Sequence, residues 1–196
     1  MVPHLKGILD QIIDISNLKL GIYQSKTKYI AEFGFYSMIA YFTPILFMHH
    51  QLYTGVLVNS MLIAGALYMK GKNLIPLIVL PSVGALSQGY LFGSLGVYLF
   101  YMLPFIWVGN ALLIFLIKTV YLKKKKHFVS GILFGSALKS VFLFGCAFAL
   151  FSAGMVPKMF LVAFGTMQFT TAFFAGMVIW PLNELRLKLN KKALSG

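Results

Sequence analysis

Long apolar stretches separated by short polar loops account for most of the chain. The stretches run from Tyr29 to Met48, Gln51 to Met69, Asn73 to Phe92, Gly96 to Ile117, Phe128 to Ser152 and Met159 to Pro181. Each is close to the roughly 20 residues that a helix needs to cross the hydrocarbon core of a bilayer. The pattern therefore predicts an all-α integral membrane protein of about six transmembrane helices.

The polar flanks divide the chain into an N-terminal segment at 1–28, a membrane domain at 29–182 and a basic tail at 183–196. Apolar residues recur at helical spacing in the N-terminal segment, and these residues are Leu5, Ile8, Leu9, Ile12 and Ile13. Lysine, aspartate and glutamine lie between them, which is typical of an amphipathic helix in the membrane interface. A partly ordered tail is the alternative interpretation.

The composition excludes a soluble globular domain, because 59% of the 196 residues are hydrophobic and only 11% are charged. The net charge of +13 would suggest nucleic acid in a soluble protein. Here the basic residues lie at the ends of apolar runs, so we expect them to meet membrane lipid headgroups and no nucleic acid.

The basic residues also predict the orientation, because cytoplasmic loops carry an excess of lysine and arginine. The residues assigned to the cytoplasmic side are Lys6, Lys19, Lys26, Lys28, Lys70, Lys72, Lys118, Lys123 to Lys126, Arg186, Lys188, Lys191 and Lys192. Only Lys158 falls outside, and Lys139 falls within a span. Both termini are therefore predicted to be cytoplasmic.

Prolines interrupt several of the predicted spans. Pro44 lies in the first, Pro76 and Pro81 in the third, and Pro104 in the fourth. Proline removes a helical hydrogen bond, and the carbonyl that it frees must find a partner inside the protein. The prolines therefore predict kinks that bend helices around an enclosed feature.

Lys139 is the main candidate for a functional side chain. It lies eleven residues into the fifth span, about 16 Å along a helix and so near the midplane. A lysine there costs about 2.5 to 3.5 kcal/mol on the insertion scale. Gly131 and Gly135 share its helical face and favour close packing, so Lys139 should face protein. Two partners are possible for Lys139: a ligand that is anionic or carries a carbonyl, or a set of backbone carbonyls. Glu32 is predicted to be solvated at the membrane interface and lies at the wrong depth to pair with Lys139.

Uncharged polar residues occur on other spans, mostly in the predicted outer half. With Lys139 they form the candidate substrate site, and they are Gln51, Thr54, Asn59, Gln88, Asn110, Gln168 and Thr171. A few fixed polar groups in an apolar wall are typical of a small-molecule cavity. The alternative is that they form ordinary hydrogen bonds between helices, worth about 0.6 kcal/mol each.

Catalysis finds no support in the sequence. The chain has only four acidic residues, and it lacks paired carboxylates within a span, a nucleophile elbow and a phosphate-binding loop. We therefore expect no enzymatic activity, no cofactor and no metal site. The lack of a nucleotide-binding motif means that energy for any transport must come from a partner or an ion gradient.

Three segments carry a resemblance to a known family. They are HQLYTGVLVN at 50–59, LPSVGALS at 80–87 and PFIWVGNA at 104–111, followed by QFTT at 168–171. With about six helices and a basic cytoplasmic side, the chain resembles the substrate-binding S component of energy-coupling factor transporters, in an uncharacterised subgroup. The resemblance covers roughly residues 29–182.

The resemblance implies a subunit that captures a vitamin or related micronutrient from outside. It also implies a transmembrane coupling subunit and ATPase subunits as partners. The charge pattern and the lack of a targeting segment favour a multi-pass protein of a prokaryotic plasma membrane. A membrane scaffold or assembly protein, and a small ion-coupled permease, remain as alternatives.

Overall fold

The computed structural model describes residues 3–22, 25–47, 50–92 and 95–195, with side chains except at 3–5, 88–92, 95 and 194–195. The described residues are mostly helical and include no strand. The helices are α1 (Pro3–Asn17), α2 (Lys26–Leu46), α3 (Gln51–Tyr68), α4 (Leu74–Phe92), α5 (Leu95–Ile117), α6 (Phe128–Ser152), α7 (Met159–Phe164) and α8 (Thr166–Ser195). A 3₁₀ turn at Gly71–Asn73 precedes α4, and a π-helical segment at Lys118–Lys123 extends α5.

The predicted all-α fold is confirmed, and the predicted apolar stretches correspond closely to these helices. Among the described residues, four candidate spans are long and apolar enough to cross a membrane, namely Gln51–Tyr68, Gly96–Lys123, Phe128–Ser152 and Met159–Ala193. The crossing of the membrane by α2 and α4 stays a prediction. Positions 1, 48 and 196, where predicted segments begin or end, lie outside the described residues.

The outer faces of the helices are apolar, as contact with lipid requires. Phe35 on α2, Phe134 and Val141 on α6 and Val178 on α8 are between 49% and 69% exposed. Such a continuous apolar exterior is unusual for a soluble monomer. It agrees with a protein whose solvent is the bilayer.

The helix α3 lies at the centre of the bundle and packs against α2, α4, α5 and α8. Its inner half forms much of the core, where Leu62, Ile63, Ala66 and Leu67 have no exposed surface. A helix that is apolar on all sides is expected to be surrounded by other helices. The central position of α3 therefore lets its polar residues meet those of several neighbours.

The last apolar stretch differs from the single uninterrupted helix that the sequence predicts. The chain breaks at Gly165 between α7 and α8, and the Ser140 hydroxyl donates to the Gly165 carbonyl over 2.7 Å. This hydrogen bond satisfies a carbonyl at the break. The helix α8 then continues to Ser195 without a second break, so the predicted tail at 183–196 extends the membrane helix through Ser195.

Lys118 is fully buried, although the sequence assigns it to a cytoplasmic loop. Its ammonium donates to the Leu18 carbonyl and, over 2.9 Å, to the Met69 carbonyl. The Leu20 amide also donates to the Leu67 carbonyl over 2.8 Å. The predicted loop position gave no indication of this burial, which arises because the segment after α1 folds over the end of α5 and covers the lysine.

Glu32 forms an ion pair, contrary to the prediction of a solvated interfacial residue. Both of its carboxylate oxygens accept from Arg186 Nη2, at 2.8 and 2.9 Å. The Arg186 guanidinium also lies 4.0 Å from the centre of the Tyr68 ring. The prediction that Glu32 does not pair with Lys139 agrees with this arrangement, in which Glu32 joins α2 to α8.

The predicted amphipathic helix is present as α1. Its residues Ile8, Leu9, Ile12 and Ile13 are 40% to 55% exposed, so an apolar face is left without protein neighbours. Ile15 is buried against the bundle. An exposed apolar face on a short helix is typical of a segment that lies in the membrane interface.

Candidate ligand-binding cavity

Lys139 is buried at the centre of a polar network that joins three helices. Its side chain on α6 is 2% exposed. The ammonium donates to Asn59 Oδ1 on α3 over 2.6 Å and to Asn110 Oδ1 on α5 over 2.9 Å. The partners are thus side-chain amides, whereas the sequence predicted either backbone carbonyls or a ligand.

Glycines on the same face of α6 bring the helix close to α5. A Cβ atom built on Gly135 would lie 3.0 Å from Leu113 Cδ1, and one on Gly131 would lie 3.7 Å from Ile117 Cα. The predicted small-residue packing surface is therefore present. It holds Lys139 within reach of Asn110.

The ammonium fixes the orientation of both amides. An ammonium can only donate hydrogen bonds, so the two amides must turn their oxygens toward it. Asn59 Nδ2 then donates to Thr171 Oγ1 over 3.1 Å, and the Thr171 hydroxyl donates to the Met167 carbonyl over 2.7 Å. Asn110 Nδ2 donates to the Ile78 carbonyl over 2.9 Å. Each amide therefore presents an amide oxygen to Lys139 in a fixed geometry.

A cavity of about 200 Å³ adjoins this network. Its walls come from α2 to α8, and the lining residues are Pro44, Gln51, Thr54, Gly55, Val58, Asn59, Pro81, Ser82, Ala85, Leu99, Ile106, Asn110, Lys139, Phe164, Met167, Gln168 and Thr171. The wall is mostly apolar, with polar groups from several helices. This composition is typical of a small-molecule site.

The polar residues of the cavity lie at different depths. Gln51 is exposed at the start of α3, and Thr54 and Gln168 are half-buried. Asn59 is only 1% exposed and lies about 12 Å further along α3. The cavity therefore opens at the end of the bundle where α3 begins, and the Lys139 network forms its floor.

The structure brings together almost all of the predicted site residues. Gln51, Thr54, Asn59, Asn110, Lys139, Gln168 and Thr171 all line this one cavity. Gln88 belongs to α4, but its side chain is outside those that the structure describes. Their role in binding a ligand stays a prediction.

Other residues of the cavity were not assigned from the sequence. Ser82 is 3% exposed, accepts from Trp107 Nε1 over 2.7 Å and donates to the Val79 carbonyl over 2.8 Å. Pro44 and Pro81 line the cavity, whereas Pro104 is not among the lining residues. The sequence feature that could have assigned Pro44 and Pro81 to the cavity wall is their position inside apolar spans, because prolines there predict bends around an enclosed feature.

No carboxylate lies in the cavity wall. The chain has four acidic residues. Glu32 pairs with Arg186, Asp10 and Asp14 belong to the exposed part of α1, and Glu184 lies on α8 far along the chain from Gln168. The partners of the buried Lys139 amine are therefore neutral amides.

Comparison with known proteins provides no independent assignment. Neither the family models, nor the curated proteins, nor the solved structures give a significant match to this chain. The functional interpretation therefore depends on the residues and the geometry of the cavity.

Proposed function

We propose that this chain is a membrane-embedded, non-enzymatic subunit that binds a small anionic or carbonyl-bearing molecule in the cavity above Lys139. The observation that carries the proposal is the set of acceptors around Lys139 Nζ. A protonated lysine has three N–H donors, and Asn59 and Asn110 accept from two of them, so among the described residues the third would be left without an acceptor. A ligand carboxylate, phosphate or polarised carbonyl would accept from that third donor and supply the charge that the wall lacks.

The size of the cavity limits the ligand. The volume of the cavity is about 200 Å³. This is below the range of about 300 to 1,000 Å³ that is usual for drug-sized ligands. A small micronutrient, such as a vitamin or a vitamin precursor, or the acidic part of one, has a suitable size.

The proposed topology has six membrane-spanning helices and both termini in the cytoplasm. The cavity opens where α3 begins, whereas Lys118, Lys123 and Arg186 belong to the opposite end of the bundle. By the positive-inside rule the basic end faces the cytoplasm. The cavity then opens to the outside of a prokaryotic plasma membrane, and α1 lies in the cytoplasmic interface.

We further propose that the chain is the substrate-capturing subunit of an importer. The absence of a nucleotide-binding motif from the sequence means that energy must come from elsewhere. A transmembrane coupling subunit with associated ATPase subunits would supply it. This step rests on the sequence resemblance and on the outward cavity.

Native mass spectrometry tests the binding proposal. Protein purified in a mild detergent should carry one stoichiometric small molecule, which can be identified after release by denaturation. The variant Lys139→Met should lose it, because the floor of the cavity would no longer carry a charge. The matched control is Lys118→Met, which removes a buried lysine outside the cavity and should retain the ligand.

A second variant separates loss of binding from loss of folding. Asn59→Asp keeps an acceptor for Lys139 but gives the ammonium a counter-ion inside the protein. We expect the folded protein to persist and an anionic ligand to be lost, because the added carboxylate repels it. Ligand-free wild-type protein, or equal ligand occupancy in Lys139→Met, would contradict the binding proposal.

A structural role for the network is the second candidate function. It is favoured by the two amide oxygens that already accept from Lys139 at 2.6 and 2.9 Å. In a scaffold or assembly protein these bonds would only hold α3, α5 and α6 together. This candidate predicts wild-type protein that is stable and empty.

Transport assays in liposomes test the proposed dependence on partners. The isolated chain should bind its ligand without accumulating it, even with ATP or a proton gradient present. Accumulation by the chain alone would contradict the subunit proposal and favour the small ion-coupled permease. Liposomes with the ligand but without protein provide the background rate.

A further inference from the structure

A second cavity lies at the basic end of the bundle, away from the Lys139 network. Its volume is about 560 Å³, and its walls come from the end of α5, the turn before α6 and the middle of α8. Lys125 and Lys126 contribute basic side chains, and Tyr121 and Trp180 contribute aromatic rings. This cavity takes no part in the ligand binding proposed at Lys139, although its cytoplasmic position rests on the proposed topology.

The turn that carries the two lysines has a fixed backbone. The Lys124 amide donates to the Thr119 carbonyl over 2.9 Å, and the Lys126 amide donates to the Val120 carbonyl over 3.0 Å. Lys125 has a φ of 50°, in the left-handed region that a lysine rarely adopts. The fold therefore holds Lys125 at the cavity in a backbone conformation that a lysine in a flexible loop would avoid.

The charge of the cavity favours an anion. Lys125 and Lys126 are exposed, and among the described residues neither forms an ion pair. Glu184 is the carboxylate in the lining, and it is also exposed. The two lysines outweigh this single acid, so the cavity keeps a net positive charge.

The position of the cavity places it at a membrane boundary. One candidate span ends at Lys123 and the next begins at Phe128, so the turn at 124–127 lies where lipid headgroups are found. Trp180 is 40% exposed at the cavity, as is typical of a tryptophan at a membrane interface.

Apolar side chains continue from the cavity toward the middle of the bundle. On α6, Leu133 follows Val129 by one helical turn and is 45% exposed. On α8, Met177 precedes Trp180 by about one turn and is 38% exposed. These side chains provide an apolar surface directly beside a basic cavity. A water-soluble phosphate compound would not need such an apolar surface, whereas the acyl chains of a lipid would pack on it.

We infer that this cavity binds an anionic phospholipid, with its phosphate between Lys125 and Lys126 and its acyl chains along Leu133 and Met177. Basic pockets at the cytoplasmic ends of membrane helices are suited to such headgroups. The aromatic ring of Trp180 lies at the level between headgroup and chains. The lipid would join α5, α6 and α8 at this end of the bundle.

The test compares two double variants that change the net charge equally. Lys125→Asn/Lys126→Gln removes the lysines of the cavity, and asparagine tolerates the left-handed backbone at position 125. Lys123→Gln/Lys124→Gln removes neighbouring lysines that do not line the cavity. Both proteins are titrated with phosphatidylglycerol in detergent, with phosphatidylcholine as the uncharged reference, and bound lipid is counted by native mass spectrometry.

We expect wild-type protein and the Lys123/Lys124 variant to bind phosphatidylglycerol alike, and the Lys125/Lys126 variant to bind it about thirtyfold more weakly. Phosphatidylcholine should bind all three proteins equally. Equal weakening in both double variants would overturn the inference, because general charge attraction would then explain the binding. Unchanged binding in the Lys125/Lys126 variant would overturn it as well.

A further arm distinguishes a lipid from a soluble phosphate compound. Glycerophosphoglycerol has the same phosphodiester headgroup without acyl chains, and it should not displace bound phosphatidylglycerol at millimolar concentration. Displacement from wild-type protein would overturn the assignment to a lipid. Glu184→Gln should strengthen lipid binding, because it removes the carboxylate from the cavity wall.

Discussion

Asn59→Leu is expected to lower the free energy of unfolding by about 3 kcal/mol. The substitution removes the closer of the two acceptors of the Lys139 ammonium, at 2.6 Å. Lys139 then keeps a single acceptor, on Asn110. Removing a partner of a buried charge costs about 3 to 5 kcal/mol. Because one acceptor remains, we expect a loss at the lower end of this range. Unfolding by SDS in mixed micelles measures the change, with the helical circular dichroism signal as readout.

The double variant Asn59→Leu/Lys139→Met provides the control. Replacing both partners of a buried polar contact by apolar groups is often close to neutral. The double variant still leaves Asn110 Oδ1 without its Lys139 donor, so we expect it to recover part of the stability that Asn59→Leu loses. If both variants were equally unstable, the loss would come from the packing of α3 and not from the charge of Lys139.

The candidate cavity was largely predictable because lipid imposes a strict rule on polar side chains. A polar residue inside an apolar span must face protein or water, so Lys139, Asn59 and Gln168 had to point into the bundle. The rise per residue of an α-helix was enough to predict the depth of each of these residues in the membrane. The sequence did not give the pairing, because Asn110 reaches Lys139 only through the close packing of α5 on α6.

Lys118 and Glu32 show where the sequence misled. Lys118 follows an apolar run, which favours a position at the end of a span. The residues after it, Thr119 to Leu122, continue that run and would have been the signal for burial. Glu32 meets Arg186 across 154 positions of the chain, and no local pattern reports such a contact.

The bounds of the first five apolar stretches were predictable to within a few residues, but the break in the last stretch and the length of its final helix were not. Runs of about 20 apolar residues report where helices lie. The break at Gly165 depends on a hydrogen bond from Ser140 of another helix. A contact of this kind between separate helices leaves no mark on hydropathy.

The wall of the cavity formed by α2 and α4 depends on one close approach of their backbones. A Cβ atom built on Gly84 would lie 2.2 Å from the Tyr41 carbonyl oxygen and 3.2 Å from its carbon. Backbone atoms within a helix cannot turn aside as a side chain can. Any side chain at position 84 must therefore push the two helices apart, and with them Pro44 and Pro81 in the cavity wall.

Gly84→Ala should consequently destabilise the protein by about 3 kcal/mol, at the upper end of the usual cost of overpacking. Gly34→Ala on α2 is the matched control, because nothing lies within 4 Å of a Cβ atom built there. In an open helical position alanine is favoured over glycine by about 0.5 to 1 kcal/mol, so this variant should be at least as stable as wild type.

Unfolding in mixed micelles compares the stability of Gly84→Ala with that of Gly34→Ala, and equal stability would mean that α2 and α4 do not touch at Gly84. Ligand occupancy measured on the same samples should fall only in Gly84→Ala, because only there does the cavity wall move.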